Sequence, residues 1–364
     1  VPRLDYSGGA SCASLLLEPQ STNLITYSES FDNAYWTKSG ASVTSGFTSP
    51  DGTNNAYKLV EGTNNGGHTA YKLNVSISSG VNYTYSIFVK GTERVLQMVL
   101  SSGFSSNFCN FDLSDGTIGS NNGLVDSNIT SFSNGWYRCD ITALSNGTSA
   151  HLELILAESK TSSRYTTYQG NGSSGIYIWG AQFEQGSYPT SYIPSNSGSQ
   201  TTRSADVCNN AGTSATFNDA EGVLFAEISQ DNNSFNTISI SDGGTSDRVT
   251  VAYQNNNIKS ILVHNNNVVQ LENSGYPQNS FHKVAIKYTQ SNVSLIINGF
   301  KLSTASRGAF ADSLNTLQFA QGNGGNNFYG KCKQLMYFDE ALSDEELSDL
   351  TGQVNLSFNN LATF

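Results

Sequence analysis

The stretch HLELILAES at 151–159 alternates: Leu152, Leu154 and Leu156 fall on one side of an extended chain, and His151, Glu153 and Ile155 on the other. Segments of this period recur along the chain and limit its fold more than any other feature. YTYSIFVKG at 83–91 puts Tyr83, Tyr85, Ile87 and Val89 on one face. NLITY (23–27), NAYKLVEG (55–62), TAYKLNVSI (69–77), RVLQMVLSS (94–102), NFCNFDL (107–113), WYRCDITA (136–143) and IYIWGAQFE (176–184) complete a first set. In the last of these, Tyr177, Trp179, Ala181 and Phe183 are expected on one face, with Ile176, Ile178, Gln182 and Glu184 on the other. Turns separate the segments at intervals of roughly ten to twenty residues, which predicts a β-sandwich or barrel.

A second set follows: GVLFAEIS (222–229), NTISISD (236–242), RVTVAYQ (248–254), KSILVHN (259–265), HKVAIKYT (282–289), VSLIING (293–299), KLSTA (301–305), LNTLQFAQG (314–322) and KCKQLMYFD (331–339). Asn298-Gly299 between alternating hydrophobics is a strong hairpin signal. One helix is expected, over SDEELSDL: Ser343 caps it, Glu346 stands three residues on, and Leu347 and Leu350 form its apolar edge. Between the sets, GSYPTSYIPSNSGSQTTRSAD (186–206) is rich in Gly, Pro and Ser and marks a boundary. The expected organisation is an N-terminal arm (1–22), a first sandwich (23–193), a linker (194–220), a second sandwich (221–352) and a tail (353–364).

Composition agrees with this reading and narrows the partners. Hydrophobic residues make up 37%, with 19 Phe and 18 Tyr, which is enough to build a core despite only 13% charged residues. The net charge is -11 and no Lys/Arg cluster is present, which speaks against nucleic-acid binding and for neutral polar partners. No apolar run approaches the roughly 20 residues of a membrane helix, so no membrane insertion is expected. Cys12, Cys109, Cys139, Cys208 and Cys332 are odd in number and widely spaced, so neither a CxxC metal site nor a dense disulfide scaffold is expected. Free buried thiols are the default, and a Cys109–Cys139 bridge between two strands of one sheet stays open.

NLITYSESFDNAYWTK, SPDGTNNAYKL, SNGWYRCDIT and IYIWGAQFEQGSYPTSYIPS resemble the carbohydrate-binding jelly-roll modules of bacteriophage tail and fibre proteins. EGVLFAEI, ISISDGGTSDRV, KVAIKYTQSNVSLIING and FYGKCKQLMYFDEALSDEELSDL resemble a laminin-G or concanavalin A-like lectin sandwich. The resemblance implies an all-β protein of two tandem antiparallel β-sandwiches with one short C-terminal helix. It implies a virion-surface protein that attaches to host surface glycans without chemistry, beside other virion proteins, as a homo-oligomer that is a trimer if the protein is a fibre. VPRLDYSGGASCASLLLEPQ resembles the internal lead-in of such proteins, which implies virion-anchoring sequence upstream. Two alternatives stand beside this: a structural or decoration protein packing against capsid or tail neighbours, and a polysaccharide depolymerase.

Sugar binding needs flat aromatic faces and side chains that hydrogen-bond hydroxyls. Trp36, Tyr57, Tyr71, Tyr168 and Trp179 are candidates in the first sandwich, while Trp136 and Trp179 suit a core better. The preferred exposed platform is SSRYTTYQGNG, with Tyr165 and Tyr168 beside Arg164, Gln169 and Asn171; Trp36 is a further candidate. In the second sandwich the loops at 242–248 and 321–330 could line one rim. Catalysis finds little support. Glycosidic cleavage takes two carboxylates about 5–5.5 Å apart in the retaining case, and Glu227-Ile-Ser-Gln-Asp231 lacks the middle acid and the last Glu of a Glu-x-Asp-x-x-Glu strand. Lys287, Tyr288 and Gln290 offer part of a lyase set, with His282 expected in a loop before that strand. Sandwiches of this kind often hold structural Ca²⁺ in oxygen-rich loops, and Asp242 and Asp247 are weak candidates for it.

Overall fold

The computed structural model describes residues 3–6, 13–105, 107–306 and 314–352. Cys12 and the tail at 353–364 lie outside them. The chain forms two compact units. One runs from Gln20 to Ser204, and the other joins the residues up to Pro19 to those from Ala205 onward. Both are antiparallel β-sandwiches, so the all-β fold with a single short C-terminal helix is observed.

The unit of residues 20–204 has two six-stranded sheets. In the first, the spatial order is Thr117–Asn122, Asn107–Asp112, Val95–Ser102, Ser149–Ala157, Thr69–Ser76 and Thr37–Ser39. In the second it is Asp126–Ser131, Tyr137–Leu144, Asn82–Lys90, Gly175–Gln185, Ala56–Glu61 and Ala41–Phe47. The chain crosses repeatedly from sheet to sheet, and the inward rows close one core. Leu152, Leu154 and Leu156 meet Tyr83, Tyr85, Ile87 and Val89 there, as the alternation predicts. Each such large side chain contributes roughly 1.5–3 kcal/mol by leaving water.

The closing strand Gly175–Gln185 departs from simple alternation. Its register slips between Trp179 and Gln182, where Gly180 adopts φ +62°. This bulge changes which face each side chain takes. Ile176, Ile178, Ala181 and Phe183 therefore share the main core, while Trp179 lies in a separate outer cluster with Phe88, Trp136 and Ala56. The expected pairing of Trp179 with Phe183 is thus corrected by one glycine in a left-handed conformation.

NLITY is also shorter as a strand than expected: only Ser21–Asn23 is extended and paired, against Thr201–Arg203. The following residues bind the exit segment instead. Asn23 donates to the carbonyls of Ala181 (3.1 Å) and Ile193 (2.9 Å), and its Oδ1 accepts from the amides of Ile25 and Phe183. Glu184, fully buried, accepts from Ser21, from Gln182 and from both the amide and hydroxyl of Thr190. Gln182 Oε1 accepts from the amide of Ile193 (2.7 Å). The long motifs at the two ends of this unit are a mutual clasp.

Cys109 and Cys139 lie on facing sheets, not on two strands of one sheet, and both are free, buried thiols. Burial pushes the Cys109 thiol up to about 12.

In the other unit a seven-stranded sheet has the order Arg3–Asp5, Ser14–Leu17, Gly330–Phe338, Gly222–Gln230, His282–Tyr288, Asn292–Ile297 and Phe300–Ser306. A five-stranded sheet holds Asn267–Ser274, Asn257–His264, Arg248–Gln254, Asn236–Ser241 and Thr316–Gln318. Ser14–Leu17, from the stretch read as an arm, pairs with Gly330–Phe338 through Leu15 and Cys332. Phe217, from the stretch read as a linker, is buried in this core. Asn298 (φ +50°) and Gly299 (φ +88°) turn the expected hairpin. The helix Asp344–Thr351 carries the expected capping box between Ser343 and Glu346, and Leu347 is buried against Phe225 and Ala285. No helix among the described residues is long and apolar enough to cross a membrane.

Candidate functional site

The outward row of the first sheet supplies the base of the site. With Leu152, Leu154 and Leu156 committed to the core, Glu153 faces outward. The register sets Glu153 beside Val99 on one neighbouring strand and Tyr71 on the other, and His151 beside Ser101. Val99, Phe108 and Ile155 form a small apolar cluster. Ser101 Oγ donates to Glu153 Oε1 at 3.0 Å.

A loop after Ser149–Ala157 is held to this sheet by two buried amides. Asn110 Nδ2 donates to the carbonyls of Lys160 (3.1 Å) and Ser162 (2.7 Å). Gln97 Nε2 donates to the carbonyl of Ser163 (3.0 Å), and Gln97 Oε1 accepts from the amide of Tyr165 (2.8 Å). These bonds hold Tyr165 at φ +57°, a left-handed conformation that a tyrosine rarely adopts. The residue remains 42% exposed. Its hydroxyl donates to Glu153 Oε1 (2.7 Å) and accepts from Arg164 Nη2 (3.1 Å), while the Arg164 guanidinium stacks 4.1 Å from the ring centroid. Burial and the Glu153 carboxylate both raise the pKa of the Tyr165 phenol. The result is a braced aromatic ring rimmed by a carboxylate, a guanidinium and hydroxyls.

Of the residues expected at a sugar platform, Tyr165 and Arg164 meet here, and the others do not. Tyr168 is only 7% exposed. Its hydroxyl donates to Glu61 Oε2 (2.7 Å), and its ring packs against His68 (4.6 Å between centroids) and under Arg94 (5.5 Å). Glu61 also accepts from Arg94 Nε and Nη2 and from the amide of Asn171. Burial alone would raise the Glu61 carboxyl, but these donors outweigh it and hold it below its ordinary value. Tyr168 thus completes a buried structural network, and no face is open for stacking. Gln169 is exposed, but its amide is tied to the Thr63 carbonyl. Trp36 is 1% exposed, packed on Phe31 and Tyr35, with Nε1 donating to the Tyr27 carbonyl (2.8 Å). A tryptophan whose donor and both faces are used inside is a core residue.

Glu153 and Ser101 escaped the sequence reading as site residues. The alternation of HLELILA already placed Glu153 outward, but only the folded loop brings Arg164 and Tyr165 over it.

The second unit brings its two candidate loops together: a Cβ on Gly322 would lie 1.6 Å from the Gly244 carbonyl oxygen. The two aspartates there each already carry hydrogen bonds within the chain through Oδ1. Asp247 Oδ1 is 2.7 Å from His264 Nδ1 and accepts from the amide of Asn265, and Asp242 Oδ1 caps the amide of Gly244. Among the described residues no group of three or more His, Cys, Asp or Glu could hold a metal ion. Tyr288, offered for a lyase set, is fully buried and donates to the Asn218 carbonyl. Lys287 pairs with Asp344. His282 begins its strand, buried between Tyr253 and Tyr276, and does not lie in a loop.

No protein-family model matches the chain, and no curated protein sequence does. Among solved structures, the Ruminococcus gnavus IT-sialidase CBM40 is similar over 41% of this chain and 96% of its own, at 15% identity and TM-score 0.35. The botulinum neurotoxin serotype D binding domain is similar over 37% of each chain, at 20% identity and TM-score 0.30. Likenesses of this size neither assign a family nor say what the chain binds.

Proposed function

We propose that the chain is a non-catalytic adhesion protein that binds glycans of a host cell surface through the first sheet of the 20–204 unit. The observation that carries this reading is Tyr165, held strained and half-exposed by Gln97, with its ring stacked by Arg164 and its hydroxyl tied to Glu153. A braced ring offers a flat apolar face at little entropic cost, and the surrounding carboxylate and guanidinium bond sugar hydroxyls. Backbone strain at an exposed aromatic is consistent with a recognition role.

The motifs that resemble bacteriophage tail and fibre modules support a place on the virion surface, beside other virion proteins. Weak single-site affinity becomes useful there when copies are multiplied, as in a trimeric fibre. The test is a glycan array probed with the full chain and with Tyr165→Ala. Binding by the parent and its loss in the variant support the reading; no binding by the parent at high concentration removes it.

A further inference from the structure

The unit of residues 20–204 contains a second candidate site that shares no residue with the Tyr165 face. A cleft of about 580 Å³ is lined by Gln20, Thr22, Ser76, Ser78, Gln185 and Gln200, over an apolar floor that includes Leu24 and Ile77. Its volume falls within the roughly 300–1,000 Å³ usual for ligand sites.

Three features point to the ligand. First, no lining residue is charged, in a chain carrying 29 acidic and 18 basic residues. An ionic ligand would lose its hydration here without gaining a counter-charge. Second, the wall is rigid: the Ile77 amide donates to the Thr148 carbonyl, the Ser78 amide donates to Tyr83 Oη at 2.9 Å, and the Ser78 carbonyl accepts from Ser145 Oγ at 2.6 Å. Third, the side-chain amides of Gln20, Gln185 and Gln200 have no intramolecular hydrogen bond among the described residues, unlike the committed amides of Gln97, Gln169 and Gln182. Each is a donor and an acceptor at once, the pairing that neighbouring hydroxyls of a sugar present.

We propose that this cleft binds a neutral oligosaccharide, through the amides of Gln20, Gln185 and Gln200 above the Leu24–Ile77 floor. It is a site separate from the Tyr165 face and stands or falls without it.

The experiment titrates the full chain by calorimetry with uncharged gluco-, galacto- and manno-oligosaccharides, against Gln185→Glu/Gln200→Glu. Both glutamines are exposed, so the near-isosteric carboxylates leave the fold intact. The expected result is that a neutral oligosaccharide binds the parent, and binds the double variant about tenfold more weakly or worse. Any other pattern, including no binding by the parent, overturns the proposal. A second measurement needs no substitution: the side-chain amide resonances of the three glutamines shift when the sugar is added to the parent chain. Unmoved resonances at saturation also overturn it.

Discussion

Asn23 and Ile193 lie 170 residues apart in sequence, yet the Asn23 side-chain amide donates to the Ile193 carbonyl at 2.9 Å. With its bonds to Ala181, Ile25 and Phe183, Asn23 makes contact through both ends of its amide while fully buried. The start of the sandwich is thereby tied to its closing strand and exit segment. Asn23→Leu leaves two carbonyls and two amides without these partners. The expected loss is about 3 kcal/mol, read as a lower midpoint in denaturant unfolding of the full chain.

Gly180 sets which residues of the closing strand enter the core. Its φ of +62°, and the approach of Phe88 and Tyr192 to within 3.2–3.3 Å of a Cβ placed there, both oppose any side chain. Gly180→Ala should lower stability by about 1–2 kcal/mol and change the tryptophan emission of Trp179, which sits beside the bulge. Unchanged stability and emission would show that the bulge is not held by this residue.

Tyr165 and Tyr168 are three positions apart and have opposite roles. Tyr165→Ala is expected to weaken glycan binding about tenfold or more with little change in thermal midpoint. Tyr168→Phe removes a bond to buried Glu61 and should cost about 1 kcal/mol of stability while leaving binding intact. Reversal of the two phenotypes on the same array and melting assay would place recognition at Tyr168.

Asp140 makes stability fall as pH rises. Burial pushes its carboxyl up to about 7, against the opposing pull of Arg138 and Asn128, from an ordinary value of 3.8. Between those values the folded chain holds a proton that the unfolded chain has released. Stability is therefore greatest in the acidic part of the window and is lost as pH climbs toward 7, by on the order of 2–4 kcal/mol. Asp231, pushed up to about 6 by burial, adds a term of the same sign. Asp140→Asn should flatten the fall in thermal midpoint between pH 5 and pH 8. An identical slope in the variant would remove Asp140 as its source.

Chelation should leave the chain unaffected. Asp247 Oδ1 is already engaged by His264 and the Asn265 amide, and Asp242 Oδ1 by the Gly244 amide. Excess EDTA is expected to leave the melting temperature unchanged; a drop of several degrees would mean a stabilising cation is bound.

The core strands were legible because burial on one side forces alternation. HLELILA and YTYSIFVK announce themselves, whereas ASVTSGF, TIGSNN, DSNITS and NVVQLENS carry only a faint pattern of this kind. Those four segments form Ala41–Phe47, Thr117–Asn122, Asp126–Ser131 and Asn267–Ser274, and each sits at the edge of its sheet. An edge strand takes half its order from a neighbour's backbone and buries little of its own surface, so its sequence carries a weaker hydrophobic pattern.

The site divides in the same way. Local chemistry marked Arg164 and Tyr165 as a polar aromatic loop, and the leucines of HLELILA determined that Glu153 looks outward. That the loop folds onto Glu153, and that Tyr168 turns inward to Glu61, depends on Gln97, Asn110 and Arg94, which are distant in sequence. By itself the sequence determined two antiparallel sandwiches, their main core rows, one hairpin turn and one capped helix, because period, turn chemistry and capping are short-range constraints. Which rings stay at the surface was decided only in the tertiary structure, where buried amides and charges satisfy one another across long separations and leave Tyr165 outside.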